Sequence, residues 1–251
     1  MRISLIGSGN VATVLGRVLK QNGHQVIQVI SRDVDNARLL ADELGAAYSD
    51  FSGKPDLDAE IFILAIADQA LESFFSSHGM GNKMVVHTAG AVSIDVLTKF
   101  SNNYGVLYPL QSLRKEMHII PRIPFLIDAN STEGLEFLED FALSISDSVR
   151  HVGDEERLKI HAAAVIVSNF TNHLYSIAED FCQKEDLDFD LLKPLILETA
   201  YRVQNASPSK VQTGPAVRKD IMTMDKHLRI FAAHPKLRTT YLRLTDSIMN
   251  P

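Results

Sequence analysis

The stretch Met1-Arg2-Ile3-Ser4-Leu5-Ile6-Gly7-Ser8-Gly9-Asn10-Val11-Ala12 decides how the first half of the chain is interpreted. A mainly apolar run typical of a buried strand leads into the pattern G-x-G-x-x-A, and apolar residues then recur at helical spacing. In this pattern Gly7 allows a tight turn, Gly9 lets the backbone approach a pyrophosphate, and Ala12 lets the helix pack closely on the strand. The order of strand, turn and helix predicts a dinucleotide site with the helix N-terminus facing the anion. The alternative is a glycine turn that only connects the two elements.

The end of the next predicted strand indicates which dinucleotide binds. NAD-specific proteins of this kind carry Asp or Glu about 20 residues after the glycines, whereas this chain has Ser31 and Arg32 there. A hydroxyl and a permanently charged guanidinium suit a 2′-phosphate, so we predict NADP(H). The alternative is that Arg32 is a solvated side chain and that Asp33 binds the ribose. The predicted cofactor-binding residues are Gly7, Ser8, Gly9, Asn10, Val11, Ser31, Arg32, Ala65, Ile66 and Thr88.

The pattern of apolar residues divides the chain in two. Residues 1–152 alternate short β-branched runs with helical patterns, which predicts an α/β Rossmann-like, doubly wound and mainly parallel sheet. Residues 153–251 lack that alternation and predict an all-α domain. Asp68 is predicted to cap a helix. Strands are predicted near 2–7, 25–30, 46–48, 61–66, 83–87, 104–108, 124–128 and 148–152, and helices near 10–22, 34–44, 69–77, 92–100, 132–144, 154–184, 189–205, 219–232 and 235–248.

Composition argues against several classes of protein. The 251 residues are 45% hydrophobic and 22% charged, which is not the composition of a disordered chain. The net charge of −6 argues against a nucleic-acid partner. The longest apolar runs, 61–67 and 162–167, are far shorter than the roughly 20 residues of a membrane span, and the N-terminal strand is not a signal peptide. The single cysteine, Cys182, and the scattered histidines argue against a disulfide and a metal site and favour a cytoplasmic location.

Further segments, taken together with the glycine pattern, carry a resemblance to a known family. They are His87-Thr88-Ala89-Gly90-Ala91, Tyr108-Pro109-Leu110-Gln111-Ser112, His161-Ala162-Ala163-Ala164, Ser168-Asn169-Phe170 and Thr213-Gly214-Pro215. Over nearly its full length the chain resembles an uncharacterised NADP oxidoreductase-like family in the 6-phosphogluconate dehydrogenase and pyrroline-5-carboxylate reductase-like superfamily. The resemblance implies an NADP-binding Rossmann domain and a helical, 6-phosphogluconate dehydrogenase-like C-terminal domain that dimerises. Tyr108 departs from the family pattern, where His precedes Pro-Leu-Gln.

His87 is the first candidate for a catalytic group. Hydride transfer needs a group that gives or takes a proton beside the cofactor. His87 ends a predicted strand at the edge of the sheet where ligands bind, next to Thr88. The alternative is a histidine that only forms hydrogen bonds with nearby backbone.

The first predicted helix of the second domain supplies two more candidates, His161 and Asn169. With Asn172 they lie close to one stripe at α-helical spacing. The resemblance implies that this helix contacts substrate through Lys and Asn, but Val165 occupies the place of the lysine. The alternative is that these polar groups are satisfied at a helix interface or a dimer seam. If the stripe is structural, the active site lies elsewhere, first around Tyr108 and Ser112.

Together these features predict an NADP-dependent oxidoreductase that acts on a small carbonyl, imine or hydroxy compound. The alternative is a non-catalytic NADP(H)-binding sensor or regulatory protein, because the lysine is missing. We also predict a homodimer. A helix over 154–184 is long for a globular protein, and residues 154–198 carry ten acidic and four basic side chains whereas 202–243 carry nine basic and two acidic ones.

Overall fold

A computed structural model, which describes residues 1–67 and 79–250, contains an eight-stranded sheet in the order β3-β2-β1-β4-β5-β6-β7-β8. All neighbouring strands are parallel except the pair β6 and β7, which is antiparallel. The predicted doubly wound, mainly parallel sheet is therefore confirmed. The strands are β1 (Arg2–Ile6), β2 (Gln25–Ile30), β3 (Ala47–Ser49), β4 (Ile61–Leu64), β5 (Met84–His87), β6 (Asn103–Pro109), β7 (Phe125–Ala129) and β8 (Val149–His151).

The middle of the sheet is buried on both faces, because helices cover one face and the turn Ile94–Leu97, with loop residues such as Met80 and Phe100, packs on the other. All four residues of β4 are buried, and so are all four of β5. Apolar residues occupy successive positions in such strands, as expected for parallel sheets with two covered faces. The first two helices are α1 (Asn10–Gln21) and α2 (Val34–Leu44). The buried side chains of α1 belong to the same core cluster as those of β1, which fixes the loop between the two elements.

Two further helical segments of the sheet region lie between β5 and β8. Residues Ile94–Leu97 form a single 3-10 turn, and α3 spans Thr132–Leu143. The α-helix predicted over 92–100 is therefore wrong, because the backbone N–H groups of Val96, Thr98 and Phe100 bond to carbonyls three residues earlier, in the tighter 3-10 pattern. The helix predicted over 69–77, with its predicted cap Asp68, lies outside the described residues.

The rest of the chain is helical, and the described residues divide into compact units over 1–165 and 166–251. The helix predicted over 154–184 consists of α4 (Asp154–Ala164), a π-helical segment (Val165–Phe170) and α5 (Thr171–Lys184). By its contacts α4 belongs to the sheet unit. The division of function between residues 1–152 and 153–251 stays a prediction. The later helices are α6 (Lys193–Asn205), α7 (Pro208–Val211), α8 (Ile221–Ile230) and α9 (Pro235–Met249), with 3-10 turns at Phe189–Leu192 and Phe231–Ala233.

Over residues 1–67 and 79–250, no helix has both the length and the hydropathy needed to cross a membrane.

Candidate active site

The two glycines of the first turn differ in what surrounds them. Gly7 has φ +121°, and a Cβ there would lie 2.2 Å from the carbonyl oxygen of Ala65. Its N–H donates to the Ile30 carbonyl at 2.7 Å, so this residue joins the ends of β1, β2 and β4. Gly9 caps α1, and a Cβ there would meet no atom within 4 Å. Gly7 is therefore required by the protein's own packing, whereas Gly9 leaves the start of α1 open to a ligand.

A cavity of about 560 Å³ opens beside these glycines, at the carboxyl ends of β1, β2 and β4. The Ser8 hydroxyl donates to the Ser31 hydroxyl at 2.8 Å and links the first turn to the loop after β2. The structure thus brings together most of the predicted cofactor residues. Those that line the cavity are Gly7, Ser8, Gly9, Ser31, Arg32, Ala65 and Ile66.

Arg32 and Asp33 differ in how much of their side chains is already engaged. The Asp33 carboxylate accepts hydrogen bonds from the Asn36 backbone at 3.0 Å and the Asn36 amide at 2.6 Å, and it caps α2. The hydrogen bond from the Asn36 backbone lowers the pKa of Asp33. Arg32 is exposed and forms no hydrogen bond or ion pair with any residue that the structure describes. Arg32 is the group that is free to bind an anion at this end of the cavity.

The other three predicted cofactor residues have side chains engaged by the protein. The side-chain Oδ1 of Asn10 accepts a hydrogen bond from the backbone N–H of Lys115 at 3.1 Å. Val11 packs against the core. The Thr88 hydroxyl and backbone N–H both donate to the Leu64 carbonyl, at 3.2 and 3.1 Å. Asn10 and Val11 therefore offer a ligand the backbone of the first turn of α1, and Thr88 ties the end of β5 to β4.

His87 ends β5 and is fully buried, with 0% exposure. Its Nδ1 accepts a hydrogen bond from the Ala89 backbone at 3.2 Å, whereas Nε2 has no partner among the described residues. Burial, and secondarily the charge of Arg157, lowers the pKa of His87 to about 4. The imidazole is therefore neutral at physiological pH and has no surface for a ligand to reach.

Tyr108 and His161 form a second polar centre at the same edge of the sheet. Tyr108 is near the carboxyl end of β6, and His161 lies on α4. The Tyr108 hydroxyl and Nδ1 of His161 are 2.8 Å apart, and the rings meet edge to face at 76°. A Cβ on Gly90 would lie 2.7 Å from Nδ1 of His161 and 2.9 Å from Cζ of Tyr108. The loop after β5 therefore needs glycine at this position to admit the pair.

An ion pair between buried Arg157 and half-buried Asp154 fixes the start of α4 against the loop that follows Gly90. Arg157 is 1% exposed, and its Nη2 donates to the Val92 carbonyl and, at 2.6 Å, to the Asp154 carboxylate. The Ile94 N–H donates to both carboxylate oxygens of Asp154 at 3.2 Å. Nε and Nη1 of Arg157 have no partner among the described residues. Because Arg157 is one helical turn before His161, this pair also holds His161 beside the loop after β5.

Asn169 belongs to the second compact unit and is exposed within the π-helical segment. A π-helix bonds residue i to i+5, so the α-helical spacing that placed His161 and Asn169 on one stripe does not hold through Val165–Phe170. No residue pattern in the chain predicts this wider helical segment. The hydrogen bond between Tyr108 and His161 is likewise not predicted from the sequence. Position 108 stands out there only because it carries Tyr where the family pattern has His.

Comparison with protein families gives two matches. Residues 2–91 match the family described as NADP oxidoreductase, coenzyme F420-dependent, and residues 123–248 match the domain of unknown function DUF2520. The order of a nucleotide-binding region followed by this second region confirms the predicted family.

Similar proteins include a candidate NADP oxidoreductase from Bacteroides fragilis, whose crystal structure is 36% identical with a TM-score of 0.88, over 100% of this chain and 98% of that chain. The pyrroline-5-carboxylate reductase of Streptococcus pyogenes shares the fold at 15% identity and a TM-score of 0.64, over 100% and 99% of the two chains. Glutamyl-tRNA reductase of Methanocaldococcus jannaschii is 22% identical over 211 residues, 76% of this chain. The chain spans about half of that reductase, 52%. The family model over residues 2–91 and the likeness to the Bacteroides protein support an NAD(P)-dependent oxidoreductase.

Proposed function

The chain belongs to the DUF2520 family, and from that premise we propose that it is an NADP-dependent oxidoreductase that transfers a hydride between NADP(H) and a small carbonyl, imine or hydroxy compound. The observation that carries the proposal is the placement of two sites at one sheet edge. The glycine cavity lies at the carboxyl ends of β1, β2 and β4, and the Tyr108 and His161 pair lies at that of β6. In doubly wound sheets this edge is where ligands bind.

The residues of the glycine cavity suit a dinucleotide with a 2′-phosphate. The open space at Gly9 is the gap that a pyrophosphate needs in order to approach the first turn of α1. Arg32 would bind the 2′-phosphate, since it has no partner in the part of the chain that the structure describes, and Ser31 lies beside it in the cavity lining. When bound, NADP(H) supplies or accepts the hydride. Asp33 is less suited to a ribose hydroxyl, because its carboxylate caps α2.

His161 is the residue that we propose exchanges the proton with the substrate. Reduction of a carbonyl or neutral imine requires one proton at oxygen or nitrogen besides the hydride at carbon. His161 is half-buried beside the loop after β5, and its Nε2 forms no hydrogen bond with a described residue. Asn169 is proposed as a substrate contact. A direct catalytic role for His87 lacks support, because that imidazole is fully buried.

The second unit supports the proposal that the protein is a homodimer. Its buried residues, within the described chain, are Cys182, Ala216 and Met224. Large apolar side chains on several helices are exposed, more than a monomeric surface usually carries in one region. A second copy would cover them, and the contrast between the acidic 154–198 and basic 202–243 segments suits such pairing. The most exposed are Ile166, Val167, Leu191, Leu195, Leu197, Tyr201, Ile221 and Met222.

The proposal is tested by screening small carbonyl, imine and hydroxy compounds with the purified protein while following NADPH absorbance. His161→Ala and Asn169→Ala should lower turnover by about 10- to 1,000-fold with the NADPH dissociation constant nearly unchanged. His173→Ala, an exposed histidine on α5, is the matched control and should keep full turnover. NADPH binding without turnover across the whole panel would instead favour a sensor.

A further inference from the structure

The position of Tyr108 is set by the sheet rather than by the helix that carries His161. Tyr108 is 9% exposed and packs in a small cluster with Val106, Leu126 and Val152. Its hydroxyl forms one hydrogen bond within the described chain, to Nδ1 of His161 at 2.8 Å. The half-buried imidazole of His161 is thus held at Nδ1 by the hydroxyl of a tyrosine that is itself fixed by packing.

The direction of this hydrogen bond follows from the state of the phenol. Burial raises the pKa of Tyr108, and the charge of Arg157 partly offsets that rise. The hydroxyl is therefore protonated at neutral pH, and Nδ1 of His161 is the acceptor available to it. A neutral imidazole that accepts at Nδ1 carries its hydrogen on Nε2.

We propose that Tyr108 is the positioning and proton-relay residue of the active site, which holds His161 in the Nε2–H tautomer and refills Nδ1 when Nε2 gives up its proton. The inference rests on the proposed function. In the reducing direction the hydride adds to the substrate carbon and the π electrons of the C=O or C=N bond move to oxygen or nitrogen. That atom takes the proton from Nε2 as the Tyr108 hydroxyl proton moves to Nδ1.

The relay leaves a neutral imidazole and a phenolate, so the negative charge rests on Tyr108 and not on His161. The guanidinium of Arg157, buried and short of hydrogen-bond partners, supplies the nearby positive charge that favours this phenolate. Solvent then returns one proton to the pair. Arg157 thus has two roles, since the cation that pairs with Asp154 also favours the negative charge that forms on the phenol.

The first test needs no substrate. Nitrogen-15 NMR of the histidine rings, with His161 assigned through a His161→Gln variant, should show a single Nε2–H tautomer and a hydrogen-bonded Nδ1. Tyr108→Phe should move the Nδ1 resonance towards that of an unbonded imidazole nitrogen. Tyr104→Phe removes a hydroxyl from the same strand and should change nothing. Gly90→Ala, whose Cβ would displace His161, should reproduce the effect of Tyr108→Phe with the tyrosine still present.

The second test uses a substrate from the screen. Tyr108→Phe should lower kcat by about 10- to 100-fold, the scale of a misplaced catalytic group, with KM and NADPH affinity changed less than about 2-fold. Its solvent deuterium isotope effect on kcat should fall, since one proton moves instead of two. An unchanged Nδ1 resonance in Tyr108→Phe, or hydrogen on Nδ1 in the wild type, overturns the inference whatever the substrate. Full turnover of Tyr108→Phe beside an impaired His161→Ala overturns the relay alone, and full turnover of His161→Ala overturns the proposed role of His161.

Discussion

The sheet unit and the helical unit contain similar kinds of apolar residues but cover them differently. In the sheet unit, Ile3 and Leu5 on β1 and Ile63 on β4 are packed inside the chain's own core. In the helical unit, Leu197 on α6 and Met222 on α8 are exposed. The sheet unit therefore has the core it needs within one chain, and the described lining of the glycine cavity belongs to that unit. The described residues of the helical unit include only three buried ones, so we expect the stability of that unit, but not of the cavity, to depend on a second copy.

The largest expected effect is on the sheet unit, at the two glycines of the first turn. Gly7→Ala should destabilise the protein by more than about 3 kcal/mol, because the new Cβ combines positive φ with a contact to a backbone oxygen. Gly9→Ala should leave the free energy of unfolding within about 1 kcal/mol, since φ is −85°. It should nevertheless weaken NADPH binding by at least about 10-fold. Urea unfolding and calorimetric titration measure both. A Gly7→Ala variant as stable as the wild type would show that packing against the ends of β2 and β4 does not require glycine at position 7.

The helical unit gives the second prediction. Leu197→Asp places a charge on a 72% exposed position of α6 and should raise the dimer dissociation constant by about 100-fold, the effect of losing a central interface residue. Leu39→Asp, on α2 of the sheet unit at 64% exposure, is the matched control and should leave assembly unchanged. Sedimentation at micromolar concentration should give about twice the 27.9 kDa chain mass for the wild type. A monomeric wild type would show that the exposed apolar helices have another explanation.

The ion pair that anchors α4 predicts the third effect. Asp154→Ala leaves the buried Arg157 without its carboxylate and should cost about 2–3 kcal/mol, less than a fully buried pair because Asp154 is 36% exposed. Asp35→Ala breaks the exposed pair with Arg38, also at i,i+3 spacing, and should cost less than about 0.5 kcal/mol. Urea unfolding compares the two variants. Equal losses would mean that the burial of Arg157 adds nothing to its pairing.

Most of the fold could be predicted from the sequence, because it depends on local patterns. Every described strand lies within a few residues of its predicted position, since buried parallel strands have distinct apolar runs. The antiparallel pairing of β7 was not predicted, because a strand buried on both faces looks the same in either direction. The cytoplasmic location stays a prediction.

The candidate site was only partly predictable. The cavity residues near Gly7 follow from a motif, and so could be named in advance. The hydrogen bond between Tyr108 and His161 joins residues 53 positions apart, and no local pattern carries that information. The complete burial of His87 depends in the same way on helices and loops packed around β5. The role of Asn169 was inferred from α-helical spacing, which the π-helical segment interrupts.

A smaller effect, on pH dependence, follows from the burial of His87. Its folded pKa of about 4 lies below the unfolded value near 6.5, so between these pH values the unfolded state binds more protons. The free energy of unfolding should therefore fall as the pH is lowered through this window, by about 2 kcal/mol between pH 6.5 and pH 5. His87→Gln should reduce this slope, whereas the exposed His118→Gln should retain it. Urea unfolding across the pH range checks this, and an undiminished slope in His87→Gln would assign it to other groups.

The measurement that tests the central claim most directly is the pair of dissociation constants for NADPH and NADH, in the wild type and in Arg32→Ala. A charge-assisted contact to the 2′-phosphate is worth about 1.5–3 kcal/mol, so the wild type should bind NADPH about 10- to 150-fold more tightly than NADH. That preference should collapse in Arg32→Ala and persist in Arg38→Ala, which alters an exposed arginine on α2. Equal affinities of the wild type for the two dinucleotides would contradict the account.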